Sequence, residues 1–82
     1  MFTVYAISST CKNYIYVGLT ENLDARLLRH ERGFERTTKP YRPFELIYSE
    51  EHPDRALARK REKYWKSGTG KEQLREIRDS VK

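Results

Sequence analysis

The residues of this chain equipped to do chemistry fall in three places. Tyr5 and Tyr16 lie eleven positions apart, near the middles of two β-rich runs, Phe2 to Ile7 and Tyr14 to Thr20. Arg26 and His30 follow, four residues apart. Glu62 stands far along the chain, the one acid among six bases between Arg55 and Lys66. Phenols and an imidazole can move protons, and a guanidinium can grip phosphate oxygens. A single carboxylate is enough to hold Mg²⁺, which keeps most of its water. Taken singly, each residue also has an ordinary explanation. Tyrosines pack inside small sheets, a histidine at a helix end suits the dipole, and helix glutamates pair with neighbouring lysines.

The elements that must position these residues are legible in the pattern. The two β-rich runs, joined by the polar connector Ser8 to Asn13, read as an antiparallel hairpin. Side chains alternate along a strand, so Tyr5 shares a face with Thr3 and Ile7, and Tyr16 shares one with Tyr14 and Gly18. If the register turns those faces to the same side, the two phenols lie close together. Asn22 is a good helix N-cap, Asp24 suits a first turn, and Leu23, Leu27 and Leu28 supply an apolar stripe ended by Gly33. Arg26 and His30, at i and i+4, then project from one side of that helix.

Residues 34 to 43 form a loop in which Arg36, Lys39 and Arg42 alternate with Phe34 and Tyr41, and Pro40 and Pro43 resist helix. Such a loop can grip a nucleic-acid strand, or it can be a solvated connector with its aromatics folded onto the core. Phe44 to Ser49 reads as a third strand. A helix is expected to begin at Pro53, in the N1 position, and to run to Lys66 with Leu57, Ala58, Tyr64 and Trp65 on its apolar face. It carries Arg59, Glu62 and Lys63. Ser67 to Gly70 stops it, and a last helix from Lys71 to about Val81 packs through Leu74 and Ile77. The order is ββαβαα, an α/β (α+β) layered domain with a small sheet, spanning residues 1–82.

Composition narrows the class of partner. Seventeen Lys and Arg against twelve Asp and Glu give a net charge of +5, which favours a polyanion. One cysteine, Cys11, rules out an internal disulfide and offers no metal cluster. No apolar run is long enough to span a bilayer, so the expectation is a soluble cytoplasmic domain without membrane contact.

In order and spacing, Thr3-Val4-Tyr5, Tyr16-Val17-Gly18, Arg26, His30 and Glu62 resemble the GIY-YIG nuclease family. The run from Tyr16 to His30 follows the family's YIG-x3-N-L-x2-R-x3-H pattern, and Ala58 to Lys66 is similar to the helix that presents its metal-binding glutamate. The similarity covers essentially the whole chain and is greatest to small stand-alone members. The resemblance implies a three-stranded antiparallel sheet flanked by helices and a metal-dependent phosphodiesterase site. In that site Tyr5 and Tyr16 would flank the attacking water, one as general base. Arg26 would hold the phosphate, Glu62 would bind Mg²⁺ or Mn²⁺, and Arg26, the metal or a relay through His30 would make the phenol a competent base. Arg36, Lys39, Arg42, Arg59 and Lys63 are the candidate nucleic-acid contacts. DNA stands ahead of RNA as substrate, with room for a protein partner that supplies specificity.

Two departures bear on activity. No asparagine follows Glu62, where many relatives carry one, and Leu19 replaces a lysine found in some. The competing function is therefore a nucleic-acid-binding module of the same fold with little or no turnover, and a protein-interaction domain is third.

Overall fold

A computed structural model describes residues 1–80 of the chain. Its elements are β1 (Phe2–Ser9), β2 (Ile15–Thr20), α1 (Leu23–Glu31), β3 (Phe44–His52), α2 (Arg55–Lys66) and α3 (Gly68–Ser80), with a 3₁₀ turn at Lys39–Tyr41. The three strands form one antiparallel sheet in the order β2-β1-β3. This is the expected ββαβαα architecture.

The alternation of β1 divides the molecule in two. Val4 and Ala6 point to one face, where they join Ile15, Val17, Ala58, Trp65 and Leu74 in the hydrophobic core beneath α2 and α3. Tyr5 and Ile7 point to the other face and lie outside that cluster. Both faces are covered, so every residue from Thr3 to Ser9 is buried. Fully burying a large apolar side chain stabilises by about 1.5–3 kcal/mol, which makes the α2–α3 face the main source of stability.

Helix α1 starts as its sequence demands. The Asn22 side chain accepts from the Ala25 amide at 3.1 Å, satisfying a donor that no helical carbonyl can reach. The helix ends at Gly33, whose φ of +75° lies in the left-handed region that a side chain disfavours.

Several boundaries differ from expectation. Asp54, not Pro53, opens α2: its carboxylate accepts from the Ala56 amide at 3.0 Å, which leaves Pro53 one residue before the cap. Leu57 is 44% exposed and Leu28 49% exposed, so neither belongs to its helix's buried stripe. In α2 that stripe is set by Ala58 and Trp65, seven residues apart, and Leu57 is rotated about 100° from Ala58. Helix α3 begins inside the segment expected to be a stop. Ser67 starts it, accepting from the Gly70 amide through its hydroxyl at 3.3 Å and from the Lys71 amide through its carbonyl at 2.9 Å. Val81 lies outside the described residues. Strand β3 continues past Ser49 to His52 because Glu50, Glu51 and His52 keep pairing with Val4, Thr3 and Phe2.

Candidate active site

The register of β1 on β2 sets the tyrosines. Tyr5 pairs with Gly18 and Ile7 with Tyr16, so both phenols rise from one face on diagonal positions, with ring centroids 6.3 Å apart. Gly18 is required by this packing. A Cβ there would sit 2.5 Å from the Tyr5 hydroxyl oxygen, so any side chain would displace the phenol.

His30, from the last turn of α1, completes the cluster. Its ring lies 5.8 Å from Tyr5 and 5.1 Å from Tyr16, centroid to centroid, and Nε2 is 2.8 Å from the Tyr5 hydroxyl. Tyr5 and His30 are buried and Tyr16 is half-buried, so solvent reaches the pair at Tyr16. Burial first, and the Tyr16 phenol second, push Tyr5 well above the ordinary phenol range; the Arg26 guanidinium opposes both without reversing them. Burial also holds His30 below the ordinary histidine range. Glu35 pulls it up, and Arg26 and Arg29 push it further down. The pair is thus a neutral phenol beside a neutral imidazole.

Glu62 belongs to α2, beneath the opposite face of the sheet, and lines a cavity that neither tyrosine nor His30 lines. β2 is an edge strand, and past its Leu19–Thr20 end opens a cavity of about 460 Å³ lined by Arg26, Arg55, Arg59, Glu62 and Glu21, among others. Arg26 is the shared member: its charge acts on Tyr5 and it lines the cavity with Glu62. A smaller cavity of about 280 Å³ continues along α2 and shares Arg59 and Glu62, adding Lys63 and Lys66. At Arg55, Arg59, Glu62, Lys63 and Lys66 the spacings are close to whole helical turns, which puts these residues on one side of α2.

A family model for the GIY-YIG catalytic domain matches residues 1–75. The chain belongs to the GIY-YIG family. It is 33% identical over 66 residues to a UPF0213 protein of Staphylococcus epidermidis, covering 79% of this chain and 80% of that one. It is equally identical over 66 residues to a UPF0213 protein of Streptococcus sanguinis, covering 76% of it. The solution NMR structure of a UPF0213 protein from Bacillus halodurans superposes with a TM-score of 0.56 at 28% identity, covering 94% of this chain and 85% of that one. With the family model, these matches place the chain beside the UPF0213 proteins within the GIY-YIG family.

The loop cations of this GIY-YIG chain lie apart from the groove. Arg59 and Lys63 line it, whereas Arg36, Lys39 and Arg42 do not. Arg36 and Lys39 are exposed on the loop. Arg42 is turned back onto α1, donating to the Glu31 carbonyl at 3.2 Å and to the Lys39 carbonyl at 3.3 Å. The connector expectation, with both aromatics folded onto the core, is met at Tyr41 alone. Tyr41 is folded inward, stacked on Tyr14 at 3.9 Å, while Phe34 is 62% exposed.

The donor set around Glu62 fits a hydrated cation held by one carboxylate rather than a protein cage. Among the described residues no group of three or more His, Cys, Asp or Glu side chains is placed to hold a metal ion. Glu62 opens into a polar cavity with room for water, and its Oε2 is paired with Lys66 Nζ at 3.0 Å, a contact a cation would displace.

Two residues that matter here escaped the sequence reading. Thr38 is fully buried with its hydroxyl 2.8 Å from His30 Nδ1. Glu50 gathers Tyr48, His52, Arg61 and Trp65 around one carboxylate on the α2 face. A threonine in a polar loop and an acid in a strand give no periodic signal, and the partners that bury them, His30 for Thr38 and Arg61 and Trp65 for Glu50, come from other elements.

Proposed function

We propose that the chain is a divalent-metal-dependent endonuclease that hydrolyses phosphodiester bonds in DNA, with RNA as the second candidate substrate. The observation that carries this is Arg26. It joins the tyrosine–histidine cluster on one face of the sheet to the Glu62 groove that opens past the edge of β2. Arg26, Arg55 and Arg59 give that groove the charge to receive a phosphodiester backbone.

A neutral phenol is a weak base, and Tyr5 is weaker as an acid than most. His30 supplies what the phenol lacks. Tyr16, at the solvent opening, would hold the attacking water. Tyr5 would take the water's proton on its oxygen as it passes its own to His30 Nε2, 2.8 Å away, so no free phenolate need form. The resulting imidazolium returns its proton to solvent. Arg26 would hold the scissile phosphate and offset the charge that grows on it. Mg²⁺ or Mn²⁺ on Glu62 would supply Lewis-acid stabilisation of the leaving 3′ oxygen. A cytoplasmic site of action goes with this reading.

The test is cleavage of supercoiled, branched and single-stranded substrates with Mg²⁺ or Mn²⁺, alongside Glu62→Ala. Cleavage that falls by about 100-fold or more in the variant is expected. Equal cleavage by both proteins, or none by either across the panel, overturns the reading. The pairing of Glu62 with Lys66 favours one second reading, a nucleic-acid-binding module without turnover. That reading predicts salt-sensitive binding that survives Glu62→Ala and no cleavage by the wild type.

A further inference from the structure

We propose that Thr38 is a positioning residue that holds His30 in its Nδ1–H tautomer and so turns the Nε2 lone pair toward the Tyr5 hydroxyl. Thr38 comes from the loop between α1 and β3, yet it is completely buried. Its hydroxyl oxygen lies 2.8 Å from His30 Nδ1, and it donates to the Glu35 carbonyl at 3.4 Å. On the far side of the ring, Nε2 lies 2.8 Å from the Tyr5 hydroxyl. Both imidazole nitrogens are therefore committed, and a neutral ring can donate through only one of them.

The direction of the chain follows from which groups cannot change roles. The Glu35 carbonyl only accepts, so the Thr38 proton has a place to go and its oxygen is open to the Nδ1–H of His30. The Tyr5 hydroxyl is buried and needs an acceptor for its proton. Its charged neighbour, the Arg26 guanidinium, has donors alone. Among the described residues, His30 Nε2 is the recorded partner of that hydroxyl. The opposite tautomer would point Nε2–H at Tyr5 and leave the buried phenol proton unpaired, which is unfavourable. The order Tyr5 O–H to Nε2, Nδ1–H to Thr38, Thr38 O–H to Glu35 carbonyl leaves no proton without an acceptor.

The surroundings keep the ring neutral. Tyr5 and Tyr16 face it from the sheet, Phe44 from β3, Arg26 and Arg29 from α1, and Glu35 from the loop. Glu35 is itself held by Arg29 at 2.8 Å, which offsets its charge. The loop thus has a second use besides any contact with a strand: it orders the imidazole from behind. The tautomer assignment stands on this geometry alone, whereas its catalytic consequence rests on the nuclease reading above.

The experiment is ¹⁵N NMR of the imidazole nitrogens in the full chain, wild type against Thr38→Val and Thr38→Ser, above the His30 titration, with His52 as internal reference. The wild type and Thr38→Ser should show His30 with Nδ1 protonated, and Thr38→Val should lose that preference. In parallel, Thr38→Val should lower kcat about 10–100-fold with KM little changed and shift the pH profile, while Thr38→Ser restores both. An Nε2–H tautomer in the wild type overturns the proposal, and does so even if Thr38→Val fails to fold. The same tautomer in Thr38→Val as in wild type overturns it too, as does a changed tautomer with unchanged kcat and pH profile. Absence of cleavage by every protein instead counts against the nuclease reading, and the NMR result then decides the tautomer on its own.

Discussion

Each face of the sheet buries a polar cluster, and the two are built on opposite plans. Beneath α2 and α3, the Glu50 carboxylate accepts from five donors: Tyr48 at 2.8 Å, His52 at 2.5 Å, Trp65 at 2.9 Å and Arg61 at 2.9 and 3.1 Å. Two carboxylate oxygens offer about four lone-pair sites, so the cluster is saturated. Beneath α1, the Tyr5–His30–Thr38 chain is neutral and one bond wide, ending on the Glu35 backbone carbonyl. The saturated charge fixes β3 to α2. The neutral chain holds protons where a reaction can use them. Buried polarity alone therefore does not mark a functional site; what sets the tyrosine face apart is an uncharged chain beside a solvent opening at Tyr16.

The sharpest way to separate the two clusters is Tyr5→Phe. It removes the proton relay while keeping the ring, so cleavage should fall about 10²–10⁴-fold, the usual contribution of a positioned acid–base group. Stability should fall by only about 1–3 kcal/mol, from the unpaired Nε2. Cleavage rates and thermal melts of the same preparations check both halves. A Tyr5→Phe enzyme that cuts at the wild-type rate would merge the two clusters into one structural class.

Glu50→Gln should do the reverse. Burial raises the Glu50 carboxyl, but the hydrogen bonds from Arg61, His52, Tyr48 and Trp65 outweigh it and hold its pKa at about 2, against an ordinary 4.5. A depressed folded pKa means stability present above about pH 4.5 and lost as pH falls toward 2. That window is worth about 2–3 kcal/mol. His30 adds an earlier loss: with its folded pKa lowered, the unfolded chain takes up the proton first, so stability begins to decline as pH drops through about 6.5. Denaturant melts between pH 7 and 2 should show both windows in the wild type, while in Glu50→Gln the lower one should shrink to the smaller share contributed by Glu35, whose carboxyl Arg29 also holds below the ordinary range. Cleavage per folded molecule at neutral pH should be unchanged in the variant. If the lower window persists undiminished in Glu50→Gln, the Glu50 carboxylate is not its main source.

How far these clusters could be read in advance follows the range of the interactions that make them. Alternation gave each tyrosine its own strand face and the i, i+4 rule placed Arg26 with His30, because both depend on neighbours a few residues away; that the two phenols meet waited on the β1–β2 register. Asn22 as cap and Gly33 as stop were legible for the same reason. Thr38 was not, since nothing in Thr37-Thr38 says which hydroxyl turns inward; the structure buries Thr38 and exposes Thr37. Glu50, just past the expected strand end at Ser49, gave no such signal, since its partners Arg61 and Trp65 lie eleven and fifteen residues away on α2. The start of α3 was lost because Ser67 and two glycines look like a break, whereas Ser67 serves as a cap.

The smallest effect tests whether Glu62 belongs with the functional side. Its ion pair with Lys66 is a half-exposed i, i+4 contact, the kind worth about 0.3–0.5 kcal/mol, so Lys66→Met should barely move the melting temperature. A stability-building carboxylate would give no other response. A cation site would: the ammonium competes for the Oε2 that a divalent ion needs, and removing it also strips one positive charge from the groove shared by Arg59 and Lys63. The two consequences oppose each other in distinguishable ways. Half-maximal cleavage should move to lower Mg²⁺ concentration, and substrate binding should weaken with a shallower salt dependence. Metal titrations at fixed, saturating substrate isolate the first. An unchanged Mg²⁺ requirement there would assign Glu62 to the same structural class as Glu50, and leave the tyrosine face as the sole distinctive feature of the fold.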